Sequence, residues 1–266
     1  MFAGALFVVS CLVTHSETEL QTIVNSYRST YGLQPLSLDA SLCTAADGHA
    51  KFMEANNVLS HFEKPGLPEF TGEDLVARAH RVGWKDALSE LVGYASTSIE
   101  DSVQAVFDSP CHRSRFLKPG ALKLGVAAEG TFVCLLIGGD SEPQTVVSPA
   151  PGQKGVPASW HASSDFSGTR TGPGSRTMGY PLLFLDTTSG DGAVTAKSVE
   201  LTSQTGEAVA TVVRDSSNDK HFHDAIAIIP ERPLEPLCTY TATVTALKAD
   251  GRQITQTWKF QTGISQ

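Results

Sequence analysis

Beyond Ser16 the apolar positions recur at steps of three and four residues. Ser16-Glu17-Thr18-Glu19 forms a capping box, and Leu20, Ile23, Val24 and Tyr27 follow at helical spacing, so the pattern predicts a helix that Gly32 stops. Asp39 caps a second predicted helix whose stripe is Leu42, Ala46, His49, Ala50 and Met53, which turns His49 toward the core. A third pattern follows Thr71, with Leu75, Ala79 and Val82 inward and Gly83 at its end. A fourth begins near Ser98 and carries Ile99, Val103, Val106 and Phe107. Residues 123–126 and 131–137 are Val- and Leu-rich with glycines between, and read as strands. Helices lying on a small antiparallel sheet are the expected arrangement.

The texture changes near Gly139. A Pro-rich connector, from Ser141-Glu142-Pro143 to Ser148-Pro149-Ala150-Pro151-Gly152, gives way to short alternating runs. Residues 180–186, 196–201, 208–214 and 224–229 are predicted strands, and Thr205-Gly206 and Asp250-Gly251 supply hairpin turns. On the last hairpin Tyr240, Ala242, Val244 and Ala246 share one face, answered by Ile254, Trp258 and Phe260. This is the signature of a β-sandwich. With 266 residues, two domains are the natural reading. A 41% apolar and 18% charged composition belongs to a folded chain. The net charge of −8 argues against nucleic acid, which needs a basic face; Lys118 and Lys123 near His112 do not supply one.

Three titratable side chains stand out: His61 in Val58-Leu59-Ser60-His61, Glu90 in Ser89-Glu90-Leu91-Val92, and His112 in Ser109-Pro110-Cys111-His112-Arg113. Imidazole and carboxylate are the groups that move protons or bind metal near neutral pH, so their convergence in a cleft would make a site. Around them run Ile23-Val24-Asn25-Ser26-Tyr27-Arg28, Tyr31-Gly32-Leu33-Gln34-Pro35-Leu36, Leu38-Asp39-Ala40-Ser41-Leu42, Ala45-Ala46, His49-Ala50 and Met53. Ala77-Arg78-Ala79-His80-Arg81-Val82-Gly83-Trp84, Phe116-Leu117, Pro119 and Leu124-Gly125-Val126 follow. In this order and spacing, residues 17 to 139 resemble the bacterial branch of the CAP superfamily, named for cysteine-rich secretory proteins, antigen 5 and pathogenesis-related 1 proteins. The second half, from Pro149-Ala150-Pro151-Gly152-Gln153-Lys154-Gly155-Val156-Pro157 to Thr257-Trp258-Lys259-Phe260-Gln261-Thr262, is similar to the bacterial Ig-like domains of cell-surface proteins.

These resemblances imply an α+β chain: a CAP α-β-α sandwich over residues 16–139, a linker at 140–147, and an all-β Ig-like sandwich over 148–264. Residues 1–15 read as a signal-like segment. The apolar run from Phe2 to Val13 is too short to span a bilayer of about 30 Å as a helix and lacks the basic start of most secretory signals. Val8-Val9-Ser10-Cys11 also resembles a lipoprotein cleavage box, so Cys11 either leaves with a signal or becomes a lipid anchor, the one membrane attachment expected. Both routes place the protein outside the cell, secreted or at the surface. There Cys43, Cys111, Cys134 and Cys238 either pair or stay as buried thiols, and the resemblance makes Cys111 with Cys134 the first pair to test. Cys238 falls in a turn, where an exposed thiol could join another chain.

In the CAP family two histidines and two glutamates line a cleft, and His61, Glu90 and His112 match three of the four. The second glutamate has no counterpart, and Asp108 either substitutes for it or caps its turn. Arg113 is placed to pair with Glu90. His61 and His112 could hold Zn²⁺, with Glu90 as third ligand or base, whereas the alternative is that the three hydrogen-bond one another and fix the loops. No His-Glu-x-x-His or Gly-x-Ser-x-Gly motif occurs. His221-Phe222-His223 reads as an exposed hairpin, and Thr171-Gly172-Pro173-Gly174-Ser175-Arg176 as a connecting loop without phosphate-loop spacing. The missing glutamate favours a module that binds an extracellular ligand or cell-wall component, with the Ig-like half as spacer or adhesion unit. The competing readings are a metal-assisted, peptidase-like hydrolase using His61, Glu90 and His112, and a lipid carrier.

Overall fold

A computed structural model describes residues 16–94, 98–130, 132–139, 142–161, 177–188 and 192–264. The signal-like segment with Cys11 and the glycine-rich stretch 171–176 lie outside the described residues.

Helix α1 (Glu17–Thr30) starts at the expected capping box: Ser16 Oγ accepts from the Glu19 amide, and the Glu19 carboxylate accepts from the Ser16 amide. Helix α2 (Ala40–Asn56) is capped by Asp39, which takes the Ser41 and Leu42 amides and so satisfies donors the helix leaves open. Asp74 and Ser98 cap α3 (Leu75–Arg81) and α4 (Ile99–Asp108) in the same way. A fifth helix, α5 (Pro110–Phe116), has no apolar stripe of the usual length and was not foreseen; proline at its first turn is preset for helix.

Four strands, β1 (Ser37–Leu38), β2 (Leu88–Tyr94), β3 (Lys123–Glu129) and β4 (Phe132–Gly138), form one sheet in the order β1-β3-β4-β2, parallel at β1–β3 and otherwise antiparallel. Alternation along β4 feeds two cores. Phe132, Cys134 and Leu136 meet Leu42, Ala46, Ala50 and Met53 of α2. Val133, Leu135 and Ile137 face the layer that holds Leu20 and Val24 of α1, Val103 and Val106 of α4, and Phe116 of α5. The expected α-β-α layering is the result. Gly125 of β3 lies so close to α2 that a Cβ there would run into the Leu42 carbonyl and side chain.

Among its described residues the second half is built from strands and the turns between them. Strands β5 (Thr145–Ser148), β8 (Leu182–Asp186), β10 (Thr211–Arg214) and β11 (Ala225–Pro230) form a sheet in the order β10-β11-β8-β5. A second sheet, β13-β12-β9, contains β9 (Val194–Ser203), β12 (Thr239–Lys248) and β13 (Gln253–Gln261), and β6 (Ser159–His161) pairs with β7 (Thr177–Gly179). The last hairpin has the predicted register, with Tyr240 opposite Phe260, Ala242 opposite Trp258 and Ala246 opposite Ile254. Its inward residues share a core with Phe184, Ile226 and Ile228 of the other sheet. Strand β5 begins at Thr145, inside the stretch read as linker, so the join between the halves is shorter than the composition suggested.

Cys111 and Cys134, the first pair to test, are not bridged, and no disulfide joins any two of Cys43, Cys111, Cys134 and Cys238. Cys134 packs toward α2, while Cys111 packs into the core on the opposite face of the sheet. A bridge needs Cα atoms within about 7 Å and converging Cβ vectors, which a sheet standing between the two thiols forbids. Nor is Cys238 exposed: it is buried, its amide bonded to Thr262 Oγ1 where the chain returns beside it. His221 and His223 are exposed as expected, flanking a fully buried Phe222. Among the described residues no helix is long and apolar enough to cross a membrane.

Candidate functional site

Glu90 stands on β2, with Leu88 and Val92 on the side of the sheet that α2 covers. That side also receives His49, buried on the inner stripe of α2, so the strand and the helix bring their polar groups together beneath the loop that carries His61. Nδ1 of His61 lies 2.9 Å from Glu90 Oε1. Arg78, on α3, donates Nη2 to Glu90 Oε2 at 2.6 Å and to the His61 carbonyl at 3.1 Å. One guanidinium therefore fixes both the carboxylate and the backbone of its histidine partner.

A second carboxylate stiffens this arrangement from below. Glu63 accepts from the Thr71 amide at 2.5 Å, Thr71 Oγ1 at 2.9 Å and the Gly72 amide at 3.1 Å, and its Oε1 lies 2.8 Å from His49 Nδ1. The other nitrogen of His49 donates to the Ser60 carbonyl at 2.9 Å and stands 3.8 Å from Glu90 Oε1. Ser60 and His61 are thus tied to α2 and α3 by consecutive carbonyls. The side chains of His49, Glu63, Arg78 and Glu90 are all at most 2% exposed, whereas that of His61 is 47% exposed.

The electrostatics follow from this packing. Burial pushes the Glu90 carboxyl up, but the His61 hydrogen bond, the Arg78 guanidinium and the charge of His49 together outweigh it, and its pKa lies below the ordinary 4.5. An ionised Glu90 accepts, so His61 presents Nδ1–H to it and leaves Nε2 as the unpartnered ring nitrogen at the surface. The segment that carries His61 also exposes Val58, Leu59, Phe62 and Leu67, and Phe62 is 69% exposed. Chemically the site offers an oriented imidazole that can accept a hydrogen bond or a proton.

His112 lies on α5, across the sheet from α2, and the hydrogen bonds and ion pairs of Glu90 go to His61, Arg78 and His49. Arg113 does not reach Glu90. Its guanidinium is buried against Phe107, Asp108 and the second half of the chain, and Arg78 occupies the place expected for it. Asp108 neither caps a turn nor joins the site: its carboxylate accepts from Gln104 and from Tyr180 of the second half. Burial raises the pKa of Asp108, with Arg113 and these two donors opposing.

Glu90 is fully engaged by Arg78 and His61, and among the described residues no three His, Cys, Asp or Glu side chains are grouped to hold a metal ion. His61, His112 and Glu90 are thus not grouped as a three-ligand centre. Two residues that complete the cluster, Arg78 and Glu63, carried no signal as site residues. Arg78 lies inside the segment quoted above for its likeness to a CAP helix, which was the available clue.

With this geometry in view, residues 21–134 match the family model described as the cysteine-rich secretory protein family, CAP. The match covers less than half of the chain and is confined to its N-terminal part. Among solved structures, an extracellular SCP-domain protein from Bacillus anthracis is 26% identical over 46% of this chain and 40% of its own, with a TM-score of 0.41. A cysteine-rich secretory protein from Staphylococcus aureus is 19% identical over 45% of this chain and 36% of its own, with a TM-score of 0.36. An outer surface protein from Borrelia burgdorferi is 17% identical over 48% of this chain and 98% of its own, at a TM-score of 0.39. The chain spans less than half the length of the first two. No curated protein is matched by the sequence.

Proposed function

We propose that this protein is a secreted or cell-surface binding module whose CAP domain takes an extracellular ligand or cell-wall component at His61, with an Ig-like sandwich as its second half. The observation that carries the reading is the pairing of a half-exposed imidazole with a buried, ionised carboxylate that Arg78 clamps. Such a pairing costs desolvation and turns one nitrogen outward in a fixed direction. The secretory character of the family supports the location.

Retention of the protein on purified peptidoglycan and on an immobilised peptide mixture tests this. The wild type is retained on one of them and a folded His61→Ala variant is not; equal retention of the two contradicts the proposal. The same pair also supports a second reading, a hydrolase in which His61 accepts a proton from water. In that case new amino groups appear during incubation with either probe, and Glu90→Gln abolishes their release while the fold persists. Binding without release assigns the site to recognition.

A further inference from the structure

The face of the CAP domain formed by α1, α4 and α5 is covered by the second half of the chain, and the contact is built around one charge. Arg113 is fully buried. It donates Nε to the Phe107 carbonyl at 3.0 Å and Nη2 to the Asp108 carbonyl at 3.2 Å on its own side. Across the join, Nη1 donates to Ser148 Oγ at 3.2 Å and to the Pro181 carbonyl at 2.9 Å. Its guanidinium carbon lies 4.3 Å from the centre of the Tyr180 ring and 5.4 Å from that of Phe107.

Other groups bridge the same join. Tyr180 returns its hydroxyl to Asp108 at 2.9 Å, Tyr31 meets Ser148 Oγ at 3.1 Å, and Arg115 pairs with Asp224 at 2.9 Å while donating to the His221 carbonyl. Between these contacts the apolar core is continuous, from Val24, Phe107 and Phe116 to Val146, Val147 and Leu183. A guanidinium wholly removed from water, with acceptors supplied from both sides, is a feature of permanent interfaces; mobile tethered domains meet through wetter, more polar contacts.

We infer that the second half is a docked partner of the CAP domain, and that this face is an interaction surface shaped for it rather than the end of a spacer. The halves open and unfold as one unit, and α5, the helix that carries His112, is held by both. An adhesion unit on a flexible leash would need no such lock.

Calorimetry and hydrogen exchange on the full chain test this. The wild type is expected to unfold in a single transition with equal calorimetric and van't Hoff enthalpies. Arg113→Met keeps the stem and removes the charge, and with it the hydrogen bonds that Arg113 gives to Ser148 and Pro181. It is expected to speed amide exchange on the order of 10- to 100-fold both in α5 and in β8. Should that variant not fold, Tyr180→Phe, which removes one cross-join hydrogen bond, is expected to show the same two-sided pattern at smaller amplitude. Two separate transitions in the wild type overturn the inference, as does faster exchange confined to α5 or no change in either half.

Discussion

At the scale of single residues, the site depends on Glu90 remaining charged while buried. Its folded pKa lies below the ordinary 4.5, so the native state binds its proton less readily than the unfolded chain. The stabilisation is complete above about pH 4.5 and is lost as pH falls through the lower folded value. Denaturant titrations at a series of pH values should show wild-type stability dropping in this acid window. Glu90→Gln, which cannot ionise, should be less stable at neutral pH and show a shallower acid decline; equal slopes would mean that Glu90 gains nothing from its partners. His61 and Glu90 were legible because a spaced motif order marks them. Arg78 and Glu63 were not, since a buried ion cluster joins residues 12 to 41 positions apart and leaves no periodic trace. The stripe of α2 did predict that His49 is buried, but not that its burial is satisfied by Glu63 and Ser60.

At the scale of elements, local chemistry decided most of what the pattern revealed. Caps at Ser16, Asp39 and Ser98 and the register of the last hairpin follow from side-chain type and alternation. Strand β2 escaped notice because Ser89-Glu90-Leu91-Val92-Gly93 does not alternate between apolar and polar: both its faces are covered, by Leu91 in one core and Val92 in the other. The placing of α2 on the sheet turns on Gly125 and Asp39. Removing the cap with Asp39→Ala should cost about 1 kcal/mol. Gly125→Ala should cost more, about 1–3 kcal/mol, because the new methyl meets helix backbone and not a side chain that can swing away. Chemical denaturation measures both; a smaller loss for Gly125→Ala would show that the helix can shift.

At the scale of the whole molecule, two packed halves share one continuous core, and no covalent bridge among the described cysteines assists it. Alkylation in denaturant without reductant, read by peptide mass spectrometry, should therefore label Cys43, Cys111, Cys134 and Cys238 completely. Protection of any pair of these four would contradict the unbridged arrangement. Composition pointed to two domains and to the change of texture near Gly139, but not to their docking. Arg113 sits in a motif that drew attention toward Glu90, whereas its true partners, Ser148 and Pro181, are 35 and 68 residues downstream. Long-range polar matches of this kind cannot be read from spacing.

The proposed site depends on the direction in which His61 points, and ring-nitrogen NMR in mildly alkaline solution reads it most directly. His61→Ala assigns the signals. The geometry predicts that the neutral ring carries its proton on Nδ1, bonded to Glu90, with Nε2 unprotonated and facing solvent. It further predicts that this preference weakens in Glu90→Gln. A ring protonated on Nε2 in the wild type, or one that does not respond to the change at residue 90, would contradict the pairing on which the proposed site is built.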